Sequence, residues 1–212
     1  MIKNRTLIKF CGLKRRRDFL KCISLKVDAV GFVFYKKSDR YISIRKAKKI
    51  IGDYKSITFP QKIGVFYKPS ISLLKKVEKE NFIDLYQICG NNLDKRVKGY
   101  LKKKKKKYIR SFNIKKENSF NLIRKINKSK KKIFFIDSYS KNKGGSGKTF
   151  NWSYINFIKK KIFVSGGINL KNLKEILSYK PFGIDISSGI EKKDGFKDKK
   201  LMKKIVKIVN EL

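Results

Sequence analysis

Two short segments, Ser165-Gly166-Gly167 and Ser187-Ser188-Gly189, each follow an apolar run directly. Glycine lets backbone N–H groups come close to an anion, and the helix N-terminus that follows adds partial positive charge. Either segment alone reads as a turn. The two together, after two successive apolar runs, predict a pair of phosphate-binding loops and hence a phosphorylated substrate. Asp137 closes the run Ile133-Phe134-Phe135-Ile136 and precedes a stretch, Ser138 to Thr149, that holds Gly144-Gly145-Ser146-Gly147. An acid placed there, under a glycine-rich loop, can be desolvated and kept protonated for general-acid use. Cys11 closes Leu7-Ile8-Lys9-Phe10 in the same way, and its thiol could deprotonate to a base. Taken singly, Asp137 could be an N-cap or an ion-pair partner and Cys11 a small buried hydrophobe. The pair says more than either residue, because isomerising a sugar phosphate requires one acid and one base.

The elements that must position these groups alternate along the whole chain. Strands are expected at 7–10, 29–34, 63–66, 85–88, 108–112, 133–136, 162–164 and 183–186, separated by amphipathic stretches. Helices are expected at about 15–25, from the N-cap Ser43 to 51, from Pro69-Ser70 with Leu73, Leu74 and Val77 on one face, and at about 93–101. Further helices are expected at 120–127, 170–177 and 199–210. Strands alternating with helices imply parallel pairing. Eight units in 212 residues fit a single small (β/α)8 TIM barrel over residues 1–212 better than an open doubly wound sheet of five or six strands. In a barrel the chemistry lies at the C-terminal strand ends, where Cys11, Arg40, Cys89, Asp137, Gly166-Gly167 and Ser187-Ser188-Gly189 fall.

Composition narrows the function classes. Lys and Arg number 57 against 16 Asp and Glu, a formal charge of +41, yet only nine of the 57 are Arg. Lys, Ile, Asn, Phe and Tyr, all with A- and T-rich codons, are abundant, while Ala occurs only at Ala29 and Ala47 and His not at all. Compositional drift accounts for this better than selection for phosphate contacts, which would enrich the planar fork of Arg. The six lysines at 102–107 read as a solvated surface run. Cys11, Cys22 and Cys89 show no C-x-x-C spacing, so neither a zinc site nor a disulfide scaffold is expected. The chain has no run of about 18 apolar residues and no signal-peptide pattern, which predicts a soluble cytoplasmic protein without a membrane partner.

The motifs resemble a known family. Ile8-Lys9-Phe10-Cys11-Gly12-Leu13 is similar to the K-I-C-G-L opening of phosphoribosylanthranilate isomerase, the barrel enzyme of tryptophan biosynthesis. Residues 28–34 and Lys37-Ser38-Asp39-Arg40-Tyr41-Ile42-Ser43 resemble its A-D-x-x-G-F-V-F and K-S-P-R-Y-V-S, and Gly64-Val65-Phe66 its V-G-V-F. Phe135-Ile136-Asp137 with residues 144–152 resembles L-L-D…G-G-T-G-x-x-F-D-W. Ser165-Gly166-Gly167-Ile168 resembles A-G-G-L, and residues 185–191 with Gly195-Phe196-Lys197-Asp198 resemble D-V-S-S-G-V-E…G-x-K-D.

The resemblance implies an Amadori rearrangement of N-(5-phosphoribosyl)anthranilate to 1-(2-carboxyphenylamino)-1-deoxyribulose 5-phosphate, with no metal or organic cofactor. It implies that Asp137 is the general acid, Cys11 the general base and Arg40 the partner of the anthranilate carboxylate. Gly166, Gly167, Asp185, Ser187, Ser188 and Gly189 complete the substrate-binding set. Three positions depart from the family pattern: Cys89 stands where Q-L-H-G has His, Asp39 replaces the proline before Arg40, and Asn151 replaces the Asp of F-D-W. The expected partner is a small phosphoribosyl substrate, with no specific nucleic acid. The enzyme is expected to be free-standing, as a monomer or homodimer. Two alternatives compete. A basic RNA-binding protein on a barrel would need its charge gathered on one face, whereas the lysines run throughout. The histidine-pathway phosphosugar isomerase is expected to carry Asp where this chain has Cys11.

Overall fold

All five residues of Ala29-Val30-Gly31-Phe32-Val33 are buried, as a strand covered on both faces requires. The computed structural model describes residues 5–115, 118–138 and 149–212. Its strands are β1 (Leu7–Cys11), β2 (Ala29–Val33), β3 (Gln61–Tyr67), β4 (Leu85–Cys89), β5 (Tyr108–Ile114), β6 (Ile133–Ser138), β7 (Lys161–Ser165) and β8 (Gly183–Ile186). They hydrogen-bond in chain order and close into a barrel, so the expected (β/α)8 fold is the one found. The helices are α1 (Arg16–Ser24), α2 (Ile44–Ile51), α3 (Ile71–Glu80), α4 (Lys95–Lys103), α5 (Ser119–Asn127), α6 (Leu173–Ser178) and α7 (Lys199–Glu211). No helix among the described residues is long and apolar enough to cross a membrane.

Contacts gather the chain into two compact units, residues 10–111 and the described residues of 1–9 and 112–212. In the first unit β2, β3, β4 and β5 pair in parallel, with Phe32 opposite Gly64 and Gly64 opposite Tyr86. Tilted aromatic pairs pack within it: the ring centroids of Phe34 and Phe66 lie 5.4 Å apart, and those of Phe66 and Tyr86 5.2 Å. Burying rings of this size contributes roughly 1.5–3 kcal/mol each. Ser43 and Ser70 cap α2 and α3 through bonds accepted from Lys46 N and Leu73 N. On α3, Leu74 and Val77 are buried while Leu73 is only half-covered.

In the second unit β6, β7 and β8 are parallel, and their register sets Asp137 opposite Ser165 and Ser165 opposite Asp185. Phe135 and Phe163 stack at 4.7 Å, and a Cβ on Gly183 would meet the Phe163 ring at 2.2 Å, so only glycine fits there. Met202, Ile205, Val206 and Val209 form the buried stripe of α7, at the spacing of one helix face.

Four local expectations are corrected. After β6 the described chain forms a 3₁₀ turn at Trp152–Phe157 rather than an α-helix, since Asn, Ser, aromatic and β-branched residues there have weak helix propensity. α6 begins at Leu173, not at 170, because Asn172 Oδ1 accepts from Asn169 N at 2.8 Å and holds a turn ahead of it. α4 begins at Lys95, not at 93, because the Asp94 carboxylate takes the N–H groups of Arg96 and Val97. β6 runs on to Ser138, one residue past Asp137, which was expected to end the strand. The glycine-rich stretch at 144–147 lies outside the described residues. In the lysine run, 102–105 and 107 are exposed, and Lys106 reaches Glu78 at 3.4 Å.

Candidate active site

Cys11 is the last residue of β1, and its side chain is buried. The next residue, Gly12, has φ +78°, and a Cβ there would lie 2.7 Å from Cδ of Arg40. The Cys-Gly pair thus ends the strand and leaves room for the arginine stem. Arg40 sits in a turn in which Ser38 Oγ accepts its backbone N–H at 3.2 Å and Tyr41 N donates to Ser38 O at 2.9 Å. These bonds set the direction from which the half-buried guanidinium leaves the backbone.

Cys89 ends β4 and borders a cavity of about 520 Å³ in the same unit. Ile88, Leu93 and Val97 give the cavity an apolar floor, and Lys68 and Arg96 bring cations to it. Gln87 Nε2 approaches the Cys89 sulfur at 3.9 Å, and Arg110 donates to the Gly90 carbonyl at 2.7 Å. Burial holds the Arg110 guanidinium below its usual range.

In the second unit Asp137 is the electrostatic centre. Burial pushes its carboxyl up to about 7, and the negative charge of Asp185 adds to the shift. Lys9, the Ser138 backbone N–H and the Ser165 hydroxyl oppose it. The carboxyl therefore keeps its proton to near neutrality, as a general acid requires. Beside it Gly166 (φ +93°) and Gly167 (φ +69°) take conformations that L side chains rarely adopt. A Cβ on Gly166 would fall 2.6 Å from Asp137 Oδ1, so loop and carboxyl touch.

The two glycine segments also meet. A Cβ on Gly189 would lie 1.9 Å from the Ile168 carbonyl oxygen, so this glycine lets the loop after β8 pack on the loop after β7. Ser188–Ile190 forms a short 3₁₀ turn. Asn169 and Asn172 donate their side-chain amides to the Gly167 carbonyl at 2.9 and 3.0 Å. Buried Lys197 donates to Ser187 O at 3.1 Å and Ser187 Oγ at 3.2 Å, and pairs with Glu191 at 2.7 Å. The two loops are thus tied to each other, and glycine-rich loops of this kind can turn backbone amides toward an anion.

A model of the N-(5'-phosphoribosyl)anthranilate (PRA) isomerase family matches residues 8–208. The chain belongs to that family. The N-(5'-phosphoribosyl)anthranilate isomerase of Aquifex aeolicus is 35% identical over 209 residues, covering 94% of this chain and 96% of its own length. The crystal structure of phosphoribosyl anthranilate isomerase from Thermotoga maritima matches with a TM-score of 0.81 at 28% identity, over 98% of this chain and 100% of its own. A second solved isomerase of the family holds reduced 1-(o-carboxyphenylamino)-1-deoxyribulose 5-phosphate. It shares the fold at a TM-score of 0.79 and 24% identity, over 98% of this chain and 100% of its own.

Reading the sequence for chemistry singled out Asp137 and the Ser165-Gly166-Gly167 and Ser187-Ser188-Gly189 segments but gave Lys9 and Lys197 no role. Lys9 is wholly buried, and its Nζ lies 2.7 Å from Asp185 Oδ2. Asp185 Oδ1 is buried and has no hydrogen-bond partner among the described residues. The signal for Lys9 was its position two residues before Cys11, on the same side of a strand whose side chains alternate. Among so many lysines, that one did not stand out.

Proposed function

We propose that residues 1–212 act as one barrel domain that rearranges N-(5-phosphoribosyl)anthranilate to 1-(2-carboxyphenylamino)-1-deoxyribulose 5-phosphate in tryptophan biosynthesis. The enzyme works in the cytoplasm as a monomer or homodimer. The observation that carries the reading is a carboxyl held protonated to about 7, packed directly on a phosphate-type glycine loop.

Asp137 gives its proton to the ribose ring oxygen. The C1′–O4′ bond breaks, O4′ becomes a hydroxyl, and the nitrogen lone pair forms the C1′=N bond of a protonated Schiff base. The Cys11 thiolate takes the C2′ proton, and the electrons of that C–H bond form the C1′=C2′ bond of an enolamine while nitrogen regains its pair. Protonation at C1′ and loss of the proton on the C2′ hydroxyl give the ketone. Arg40 pairs with the anthranilate carboxylate. The backbones of Gly166, Gly167, Ser188 and Gly189, with the Ser187 hydroxyl, take the phosphate, and Asp185 accepts a hydrogen bond from the substrate. Fixing both ends of the molecule converts binding into alignment of C2′ and O4′ with base and acid.

The test follows the fluorescence of the anthranilate substrate with wild type, Cys11→Ser and Asp137→Asn. General acid–base groups contribute about 10²–10⁴-fold, so each variant is expected to lose at least that much turnover while its circular dichroism stays native. A folded variant with full turnover removes that residue from its role. A folded wild type with no turnover overturns the activity.

A further inference from the structure

We infer that Lys9 is a positioning residue: it grips the Asp185 carboxylate by one oxygen so that the other is presented to the substrate. The inference rests on the reading above that Asp185 accepts a hydrogen bond from the substrate.

Lys9 lies on β1 and Asp185 on β8. The lysine side chain is wholly buried, that of Asp185 is 6% exposed, and the ammonium stands 2.7 Å from Asp185 Oδ2. The Phe135 ring on β6 has its centroid 5.1 Å from the same ammonium and offers a face that attracts a cation. Carboxylate and ring together confine an otherwise flexible side chain. A charge-assisted hydrogen bond this short is of the strong kind, and it leaves Asp185 little freedom to turn.

Stability is a weak reason for such a pair. Removing two charges from water costs about what their attraction returns, and apolar side chains of similar volume often serve a core as well. What an apolar pair does not supply is the second oxygen. Asp185 Oδ1 is buried and accepts no hydrogen bond among the described residues. A buried acceptor is costly to leave without a donor, so one held open suits a donor that arrives with a ligand. Its placement agrees. Asp137 pairs with Ser165, and Ser165 with Asp185, across β6, β7 and β8, so the three side chains leave the sheet on one face. The open oxygen therefore belongs to the face that carries the proposed acid. With Oδ2 held by Lys9, Oδ1 keeps one direction before the ligand arrives, and no binding energy is spent on turning it.

The experiment measures calorimetric affinities for reduced 1-(o-carboxyphenylamino)-1-deoxyribulose 5-phosphate and for inorganic phosphate. The proteins are wild type, Lys9→Met, Asp185→Asn and the variant carrying both changes. A hydrogen bond to a charged group corresponds to about 10–100-fold in affinity, so each single variant is expected to lose that much for the reduced compound. Inorganic phosphate, which the loop glycines and Ser187 are proposed to hold, should bind both single variants as it binds wild type. The double variant is expected to lose no more than Asp185→Asn alone, because Lys9 acts through the carboxylate. Additive losses overturn the inference, and so does a Lys9→Met that binds the reduced compound like wild type. Equal losses for both ligands overturn it too, since a loosened fold would weaken both.

Lys9→Met leaves a buried carboxylate uncompensated. Should it not fold, the double variant is compared with Asp185→Asn: equal affinities support the inference and a further loss overturns it. A double variant that does not fold, with both charges gone, overturns it as well, since the pair then serves the fold. If Asp185→Asn binds the reduced compound like wild type, the substrate contact of Asp185 is wrong and the inference falls with it. A loss in Asp185→Asn without one in Lys9→Met leaves that contact standing and removes Lys9 alone.

Discussion

Gly166 and Asp137 are in direct contact: a Cβ on the glycine would stand 2.6 Å from the aspartate Oδ1 and 2.1 Å from the Ser138 hydroxyl oxygen. The loop proposed to take the phosphate is therefore also a wall beside the proposed acid. Chain direction at Gly166, with φ +93°, places the backbone where a side chain would otherwise push the carboxyl away.

Gly166→Ala is expected to impair binding and chemistry together. A non-glycine residue at this backbone angle is strained by about 1–2 kcal/mol, and the added methyl must displace the carboxyl. Steady-state kinetics should show kcat down by about 10–100-fold, as a misplacement of about 1 Å does, along with a higher KM. A variant with unchanged kcat would show that the contact does not set the position of the acid.

Asp137→Asn should alter stability as well as turnover. The folded carboxyl holds its proton up to about 7, against an ordinary value of 3.8. Between those pH values the folded state binds more protons than the unfolded chain, so this group makes stability fall as pH rises. The slope approaches about 1.4 kcal/mol per pH unit for one group. Urea unfolding at pH 5 and pH 8 should therefore show wild type losing stability relative to Asp137→Asn at the higher pH. Parallel pH dependences would mean that burial does not hold the proton on Asp137.

Arg40 offers a test of substrate anchoring. Removing a hydrogen bond to a charged group costs about 1.5–3 kcal/mol, so Arg40→Ala is expected to raise KM by about 10–100-fold. Gly12→Ala probes the same arginine from below, because its methyl would meet Arg40 Cδ at 2.7 Å. Since that atom belongs to a flexible stem, a smaller rise of a few-fold is expected. Equal and large losses in the two variants would point to a collapsed loop rather than a lost ion pair.

Much of this architecture was legible because strand burial leaves a strong trace. Ala29-Val30-Gly31-Phe32-Val33 and Ile133-Phe134-Phe135-Ile136 can be read as buried strands without any structure, and the capping serines 43 and 70 mark helix starts. The late start of α6 was not legible, since it depends on the Asn172 side chain competing for a backbone N–H, and at 152–157 weak helix propensity did not say which turn would replace a helix. The candidate site divides along the same line. Asp137 and the glycines stand out because they interrupt apolar runs. Lys9 does not, because its buried partner, Asp185, lies 176 positions away in the chain.

Cys89 occupies the position where the family pattern Q-L-H-G has His, at the edge of a cavity of about 520 Å³. That space accommodates an imidazole without repacking the floor formed by Ile88, Leu93 and Val97. Cys89→His is therefore expected to fold as wild type and to lower KM a few-fold with kcat unchanged. A thermal midpoint that falls by more than a few degrees would show that the thiol fills a packed position.

Lys197 holds the last loop in place from beneath. Its ammonium is buried and joins Ser187 O, Ser187 Oγ and Glu191 Oε1 within 3.2 Å. Lys197→Met removes the tie and leaves Glu191 buried without its cation, which costs about 3–5 kcal/mol when a buried pair is broken. The backbone amides of Ser188 and Gly189 would then lose their fixed direction, while Asp137, on the far side of β7, keeps its surroundings. KM is expected to rise about tenfold, and inorganic phosphate should weaken as a competitive inhibitor by a similar factor, with kcat within about threefold of wild type. Replacing both partners, Lys197→Met with Glu191→Leu, should recover stability without recovering phosphate affinity, because the uncompensated charge is gone but the loop remains untied. If phosphate affinity returns with stability in the double variant, the ion pair supports the fold alone and does not orient the loop.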